Sequence, residues 1–343
     1  MMHGTIHFFD RLPLVDIARE PTRAPVAAPV RAEPLVGLIR NQHSHRNGGS
    51  VPVELDMPNV LVASPTKRSE LFEILAEFAE KRVDYIAVDG GDGTVRDVLT
   101  CGASAFGDTW PAIIVLPSGK TNALAHDLAI PDDWTLADAL EAAKRDSLIM
   151  RRPIVVAQRD NTRAQVRGFV LGAGAYSSAI TLGQQAHSYG AFDALAVGMT
   201  AVWSGLQAFF GGENNPWRRG VRMRLRDEAG NDLPHVGGAP ASERYLVFAS
   251  TLRNFPAGMN PFRGMNDAMH LAVFDNSRRR LLLALPKIFG GTTGPKHREL
   301  GYHTHGMTSF QWDIADSFIL DGEAFPPGSY TVSAGPRICF VVP

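Results

Sequence analysis

Tyr85-Ile-Ala-Val-Asp-Gly-Gly-Asp-Gly-Thr-Val-Arg-Asp-Val-Leu-Thr100 decides the fold. Its first four residues form a short apolar run suited to a buried strand. Gly90, Gly91 and Gly93 then break the pattern within four positions, and a helix is expected from about Thr94 to Thr100. The same order recurs downstream. Pro111-Ala-Ile-Ile-Val-Leu116 reads as a buried strand, Pro117-Ser-Gly-Lys-Thr-Asn122 as a polar turn, and a helix runs on through Leu128. Upstream, Leu35-Val-Gly-Leu-Ile39 and Val60-Leu-Val-Ala63 are strand candidates, and residues 69–80 repeat apolar side chains at helical spacing. Val51-Pro-Val-Glu-Leu55 is a weaker strand because Pro52 lacks a ladder donor. Strands alternating with helices imply a parallel α/β sheet, with ligands at the C-terminal ends of its strands.

After a helix over residues 134–143 the pattern changes. Short β-branched and aromatic runs at 153–157, 165–171, 221–225, 245–250, 268–274, 310–314, 318–320 and 330–332 are separated by glycine and polar turns. They predict an antiparallel, β-rich sandwich domain. Helical inserts are expected at 192–210 and 279–288. The expected organisation is an N-terminal extension and proline-rich linker (1–33), an α/β domain (34–150), a β-rich domain (151–332), and a C-terminal segment (333–343) that can return to the first domain.

Both glycine turns suit phosphate. Gly90, Gly91 and Gly93 let backbone N–H groups approach an anion at a helix N-terminus. Asp92 repels phosphate itself, so its chemical use there is to orient a magnesium ion or its bound water; as a local cap it would need neither. In the second turn Ser118, Thr121 and Asn122 offer hydroxyl and amide groups beside Gly119, and Lys120 supplies a counter-charge. Gly119-Lys-Thr121 is not a P-loop, because Ile114 stands where the opening glycine is required.

Gly90-Gly-Asp-Gly-Thr94 resembles the signature of the diacylglycerol kinase catalytic family, which includes sphingosine and ceramide kinases and shares its nucleotide fold with NAD kinase and phosphofructokinase. Residues 116–125 resemble that family's second nucleotide loop, and Leu320-Asp-Gly-Glu323 a third motif, in family order. The resemblance covers residues 35–343. It implies an NAD kinase/phosphofructokinase-like α/β domain plus an antiparallel β-sandwich, with ATP and Mg2+ as cofactors. It implies that Gly90, Gly91, Asp92, Gly93 and Thr94 meet the nucleotide phosphates, with Asp92 at the metal. Asn41 would sit after the first strand, Thr66 at the pocket edge, and Ser118, Gly119, Lys120, Thr121 and Asn122 in the second loop. Asp321 would be the catalytic base and Glu323 a neighbouring catalytic or metal residue. By its residues alone, Asp321-Gly322 is an ordinary turn pair. The chain departs from the family at Arg96-Asp97, at Lys120, at Asn122-Ala123, which looks more like the sphingosine and ceramide kinases, and in Asn41-Gln-His-Ser-His45, which lacks a proline.

A net charge of −1 argues against a general nucleic-acid binder. Cys101 and Cys339 read as buried thiols of a reducing compartment. No secretion signal and no spanning segment are evident, so a cytoplasmic enzyme peripheral to the inner membrane is expected, with a homodimer left open. Residues 192–210 and Arg278-Arg-Arg-Leu-Leu-Leu283 combine apolar and basic character suited to an acidic membrane surface. Asp267 reads as a turn residue, and His303 and His305 as one face of a strand without a third metal ligand. The acceptor is expected to be a lipid hydroxyl, of a sphingolipid or diacylglycerol. The alternatives are an NAD kinase, a sugar kinase, a nucleotide sensor without turnover, and a structural protein.

Overall fold

The computed structural model describes residues 12–15, 31, 33–42, 44, 57–119, 121–175, 220–236, 240–276 and 279–343. Residues 51–55 and 192–210 lie outside the described residues. The first sheet has the order β2-β1-β3-β4-β18-β5, with β1 Val36–Arg40, β2 Val60–Ala63, β3 Tyr85–Gly90, β4 Ala112–Pro117, β5 Leu148–Arg151 and β18 Ile338–Val341. Strands β2, β1, β3 and β4 pair in parallel and β18 joins β4 in parallel, whereas β5 runs antiparallel to β18.

Alternation along these strands feeds two cores. Ile39, Ile86, Val88, Ile113 and Val115 pack with α1 (Arg68–Glu80) and α2 (Asp92–Cys101). Leu38, Ala87, Ile114 and Leu116 face α5 (Leu136–Lys144) on the other side. Helix α1 presents Leu71, Leu75 and Phe78 at i, i+4 and i+7. A Cβ at Gly37 would lie 2.4 Å from the Phe78 ring, so this glycine sets how closely helix and sheet approach.

Two antiparallel sheets form the remainder. One has the order β10-β9-β14-β17-β6-β7 and the other β13-β12-β11-β8-β15-β16. In the first, β6 is Ile154–Gln158, β7 Gln165–Gly168, β9 Val221–Arg226, β10 Glu243–Arg244, β14 Ser309–Ile314 and β17 Gly328–Ala334. In the second, β8 is Val170–Gly174, β11 Leu246–Ser250, β12 Met269–Phe274, β13 Tyr302–Met307, β15 Phe318–Leu320 and β16 Glu323–Phe325. Their inner faces bury Trp312, Phe310, Phe318, Phe325, Tyr330 and Leu271.

The structure corrects the sequence at 165–171, which reads as one strand. The chain breaks at Phe169 and passes from β7 in one sheet to β8 in the other. Residues 12–15 are also more than an appendage: Leu14 bridges Ala164, and Leu12 and Val15 are buried beside the sandwich. Helix α6 (Arg279–Phe289) lies on the outer face of β11 and β12, burying Leu281 and Ile288 while Leu283 is 66% exposed.

The two parts meet where α2 packs on β7. There Thr100 Oγ1 accepts the Arg167 N–H at 2.9 Å, and the ring of Phe169 meets that of Phe340 in β18 at 6.2 Å. Phe340 is fully buried between β4 and β5. Phe340→Ala is therefore expected to lower the unfolding free energy by about 3–5 kcal/mol in urea titration. A loss below about 1 kcal/mol would show that the C-terminal strand does not hold the first sheet.

Candidate active site

The residues singled out in the first sheet line its C-terminal edge. Asn41 follows β1, donating its backbone N–H to the Asp89 carbonyl at 2.9 Å and its side-chain amide to Thr94 Oγ1 at 3.0 Å. A Cβ on Gly90 would lie 2.5 Å from Thr94 Oγ1, and one on Gly119 would lie 2.5 Å from Gly91 Cα. The two glycine turns therefore touch backbone to backbone, which only residues without side chains permit. Below them the Ser118 hydroxyl donates to Asp89, which also pairs with Arg40 at 3.6 Å. Asn122 adopts left-handed backbone angles, φ 46° and ψ 48°. Its side chain accepts from Gly119 N–H at 3.0 Å and donates to Gly119 C=O at 2.9 Å, closing the second turn on itself.

Asp92 does not cap its own helix, whose N-cap is Gly91. Its carboxylate accepts the N–H groups of Ala123 at 2.9 Å and Leu124 at 3.1 Å, the first turn of α4 (Ala123–Asp127). One turn's aspartate thus caps the other turn's helix and fixes their spacing. Burial pushes its carboxyl above the usual range, against those two bonds and the charge of Arg96. Thr66 is exposed at the start of α1, its hydroxyl engaged by Glu70 and not by either turn. Thr121 is exposed, Gly93 opens α2 beside the Arg96 guanidinium, and Lys120 lies outside the described residues.

Asp321 arrives from the sandwich. With φ 45° and 80°, Asp321 and Gly322 form the two-residue turn between β15 and β16, which pair Leu320 with Glu323. The turn's tip is exposed, but the carboxylate points inward to the break between β7 and β8. There it accepts the N–H of Phe169 at 3.0 Å and of Val170 at 2.9 Å. A Cβ on Gly168 would stand 2.3 Å from its Oδ2, so glycine makes room for the acid. Burial raises the Asp321 carboxyl to about 7, helped by the nearby Asp92 charge and opposed by the Val170 bond, Arg96 and the Phe169 bond.

Arg96, 5% exposed, holds this turn against α2. It donates to the carbonyls of Leu320 at 3.3 Å and Asp321 at 3.4 Å, to Asp97 Oδ1 at 3.1 Å, and pairs with Glu323. Arg68 bridges Asp97 at 3.1 Å and Glu323 at 2.8 Å. Burial raises the Glu323 carboxyl overall, against the pull of the two guanidiniums. Glu323 thus meets its counter-charges within the protein, whereas among the described residues the carboxylates of Asp92 and Asp321 bond only backbone N–H groups. Two buried, mutually repelling carboxylates fit a divalent cation, which takes one or two protein carboxylates and completes its shell with phosphate and water. Among the described residues no three-ligand cluster stands ready for a metal.

Sequence reading missed four participants. Arg68 and Asp97 complete the ion network, and Gly168 accommodates Asp321. Asp127, 3% exposed, bonds Arg151 Nε at 2.6 Å and the N–H groups of Arg253 and Asn254 at 2.8 Å each, tying the end of α4 to the segment after β11. Its only signal is an acid at the end of a short helix, beside His126. Asp267 packs against Gly306. His303 and His305 bond each other at 2.7 Å, and His303 reaches the buried Asp275 at 3.1 Å, which also pairs with Arg244.

Residues 52–151 match the family model described as the diacylglycerol kinase catalytic domain. That span holds both glycine turns and is narrower than the 35–343 implied by the three motifs, leaving Asn41 and Asp321 outside it. Two glycine turns on a parallel sheet are thus faced by an acidic hairpin of the β-sandwich, and over residues 52–151 the chain is similar to the diacylglycerol kinase catalytic domain. It is 31% identical over 104 residues to a Cronobacter sakazakii (strain ATCC BAA-894) protein named "Probable lipid kinase YegS-like", covering 29% of this chain and 35% of that one. The chain thus spans about a third of the length of that curated relative. It superposes on a crystal structure of a diacylglycerol kinase from Bacillus anthracis str. Sterne with TM-score 0.59 at 16% identity, covering 92% of this chain and 99% of that one. A second crystal structure from that organism gives TM-score 0.60 at 15% identity, covering 93% and 98%. These structural likenesses are of fold.

The histidine pair yields a stability prediction. Burial, then the neighbouring His303, lowers His305 from 6.5 to about 4. Between those values the unfolded chain binds a proton that the native state refuses, so stability is present above pH 6.5 and lost as pH falls toward 4. His305→Gln is expected to lessen that loss by roughly 1–2 kcal/mol in urea titrations across this window. Parallel curves for both proteins would contradict it.

Proposed function

We propose that this protein is an ATP- and magnesium-dependent kinase that phosphorylates a lipid hydroxyl. The observation that carries the reading is convergence: Arg96 joins the Asp321 hairpin to the helix opened by Asp92, beside two anion-suited turns and near enough for the Asp92 charge to act on the Asp321 carboxyl. When bound, ATP and Mg2+ supply the phosphoryl group and neutralise its charge. The turns at Gly90–Thr94 and Gly119–Asn122 would hold the phosphates, through N–H groups other than those of Thr94 and Gly119, which bond Gly91 C=O and Asn122 Oδ1; Lys120 would supply counter-charge, with Ser118 and Asn41 beside the turns. Asp92 would hold the metal. Asp321 takes the proton of the acceptor hydroxyl as the hydroxyl oxygen bonds the γ-phosphorus and the bond from that phosphorus to the departing ADP breaks. Phe169 and Val170 fix the angle of that base, and Arg68 and Arg96 hold Glu323 as a support for its hairpin.

The name of the Cronobacter relative and the family of residues 52–151 support a lipid over a sugar or NAD. The acceptor we infer is a sphingolipid (ceramide or a sphingoid base) or diacylglycerol, with Asn122-Ala-Leu-Ala125 favouring the former. Diacylglycerol, sphingosine, ceramide and NAD are to be offered side by side with ATP and magnesium. Lipid-dependent phosphorylation is expected, with Asp321→Asn reducing it at least 1,000-fold while ATP binding by calorimetry changes less than about threefold. Preference for NAD would move the protein to the NAD kinases. ATP binding without any acceptor-dependent turnover would make it a sensor.

A kinase of this type works at a membrane surface, and we place this one in the cytoplasm, peripheral to the inner membrane. Among the described residues no helix is long and apolar enough to cross a membrane. Helix α6 exposes Arg279, Arg280 and Lys287 with Leu283, a pairing suited to anionic headgroups; Arg278 lies outside the described residues. Arg279→Glu/Arg280→Glu is expected to cut sedimentation with acidic vesicles about tenfold and leave neutral-vesicle binding unchanged. Equal, weak binding of wild type to both vesicle types would remove this surface from the proposal.

A further inference from the structure

The sheet containing β8, β11 and β12 has an outer face whose polar side chains are not all spoken for. Register aligns Val170, Ser250 and His270 in one row across these strands, and Val170 donates its N–H to the Asp321 carboxylate. The row therefore starts at the proposed base. Ser250 is satisfied, donating to the Phe169 carbonyl at 2.9 Å and accepting the Leu252 N–H at 3.1 Å. His270 is not: it is 4% exposed, yet among the described residues neither of its imidazole nitrogens has a hydrogen-bond partner.

Their surroundings are aromatic. Phe262 stacks on His270 at 5.2 Å, Phe248 stacks on Phe262 at 5.7 Å, and Phe255 lies 5.8 Å and 6.2 Å from those two phenyl rings. A buried polar group without a partner costs about 1–3 kcal/mol, and a leucine or valine would avoid that cost here. Burial depresses the His270 pKa, which keeps the ring neutral with one donor and one acceptor nitrogen. Two antiparallel strand spacings put the His270 backbone about 10 Å from that of Val170. Two hydrogen bonds of about 2.8 Å, plus the roughly 5 Å from a lipid's free hydroxyl to its nearest ester or amide carbonyl, cover such a span.

We propose that His270 recognises the ester or amide carbonyl of the acceptor, while Phe248, Phe255 and Phe262 hold the adjoining acyl chain. This inference rests on the lipid-kinase reading and adds to it a residue that recognises the acceptor. His270 sets specificity for carbonyl-linked over ether-linked lipid, and Asp321 remains the base.

The test uses the full chain with 1,2-dioctanoylglycerol and its diether analogue, 1,2-di-O-octylglycerol. Wild type is expected to favour the diester about tenfold in kcat/KM, the value of one hydrogen bond. His270→Phe, which keeps the stack on Phe262, is expected to lose about tenfold on the diester through KM and less than twofold on the diether, with KM for ATP unchanged. Equal losses on both lipids, or none, overturn the proposal. A second readout stands apart from turnover: nitrogen-15 histidine spectra of wild type, with the His270 signals assigned by their loss in His270→Phe. Dioctanoylglycerol should shift those signals and the diether should not. If neither lipid is phosphorylated, the kinase reading fails, and the spectra still decide this inference. A diester-specific shift sustains it, and its absence sinks it.

Discussion

The break at Phe169 leaves two backbone N–H groups outside any strand ladder, and the carboxylate of Asp321 accepts both. Buried donors cannot stay unpaired without cost, so the acid is what lets the chain cross from one sheet to the other. Much else follows from that crossing. It aims β7 at α2, sets Phe169 against Phe340, and brings the β15–β16 hairpin over the glycine turns. The requirement for space explains Gly168, and the requirement for a reversed backbone explains the Asp321-Gly322 turn.

A carboxylate so placed is pulled two ways. Backbone N–H bonds favour its charged form, while burial and the charge of Asp92 disfavour it, and the second pair prevails. The same balance governs Asp92, whose two bonds to α4 do not overcome burial. In the network of Arg68, Arg96, Asp97 and Glu323, by contrast, each acid meets a guanidinium directly. The molecule thus separates acids that support the site from acids left to act in it. That distinction rests on contacts, not residue type.

The two halves are joined by small numbers of directional bonds supported by apolar contact. Thr100 to Arg167, Arg96 to the Leu320 carbonyl and Asp127 to the Arg253 segment each cross between them. Asp127 anchors the second glycine turn to the sandwich as Asp92 anchors it to the first turn. A shift of the sandwich would therefore be felt at both turns.

Local sequence determined the elements whose signals are short-range. Residues 60–63 and 318–320 form the strands their apolar runs imply, and α1 follows its i, i+4, i+7 spacing to within a residue. The motif positions were legible for the same reason, since tight turns need Gly90, Gly91 and Gly119 wherever they occur. What the sequence could not reveal was long-range. Nothing within 165–171 signals a change of sheet, because the acid that stabilises it lies 152 residues away. Arg68 and Asp127 find their partners only through tertiary packing, and residues 12–15 read as part of an N-terminal extension until β7 offers its edge. Side-chain spacing along a chain is a local quantity, and sequence carries it. Pairing between buried charges and distant backbone groups depends on which surfaces meet, and only the folded chain decides that.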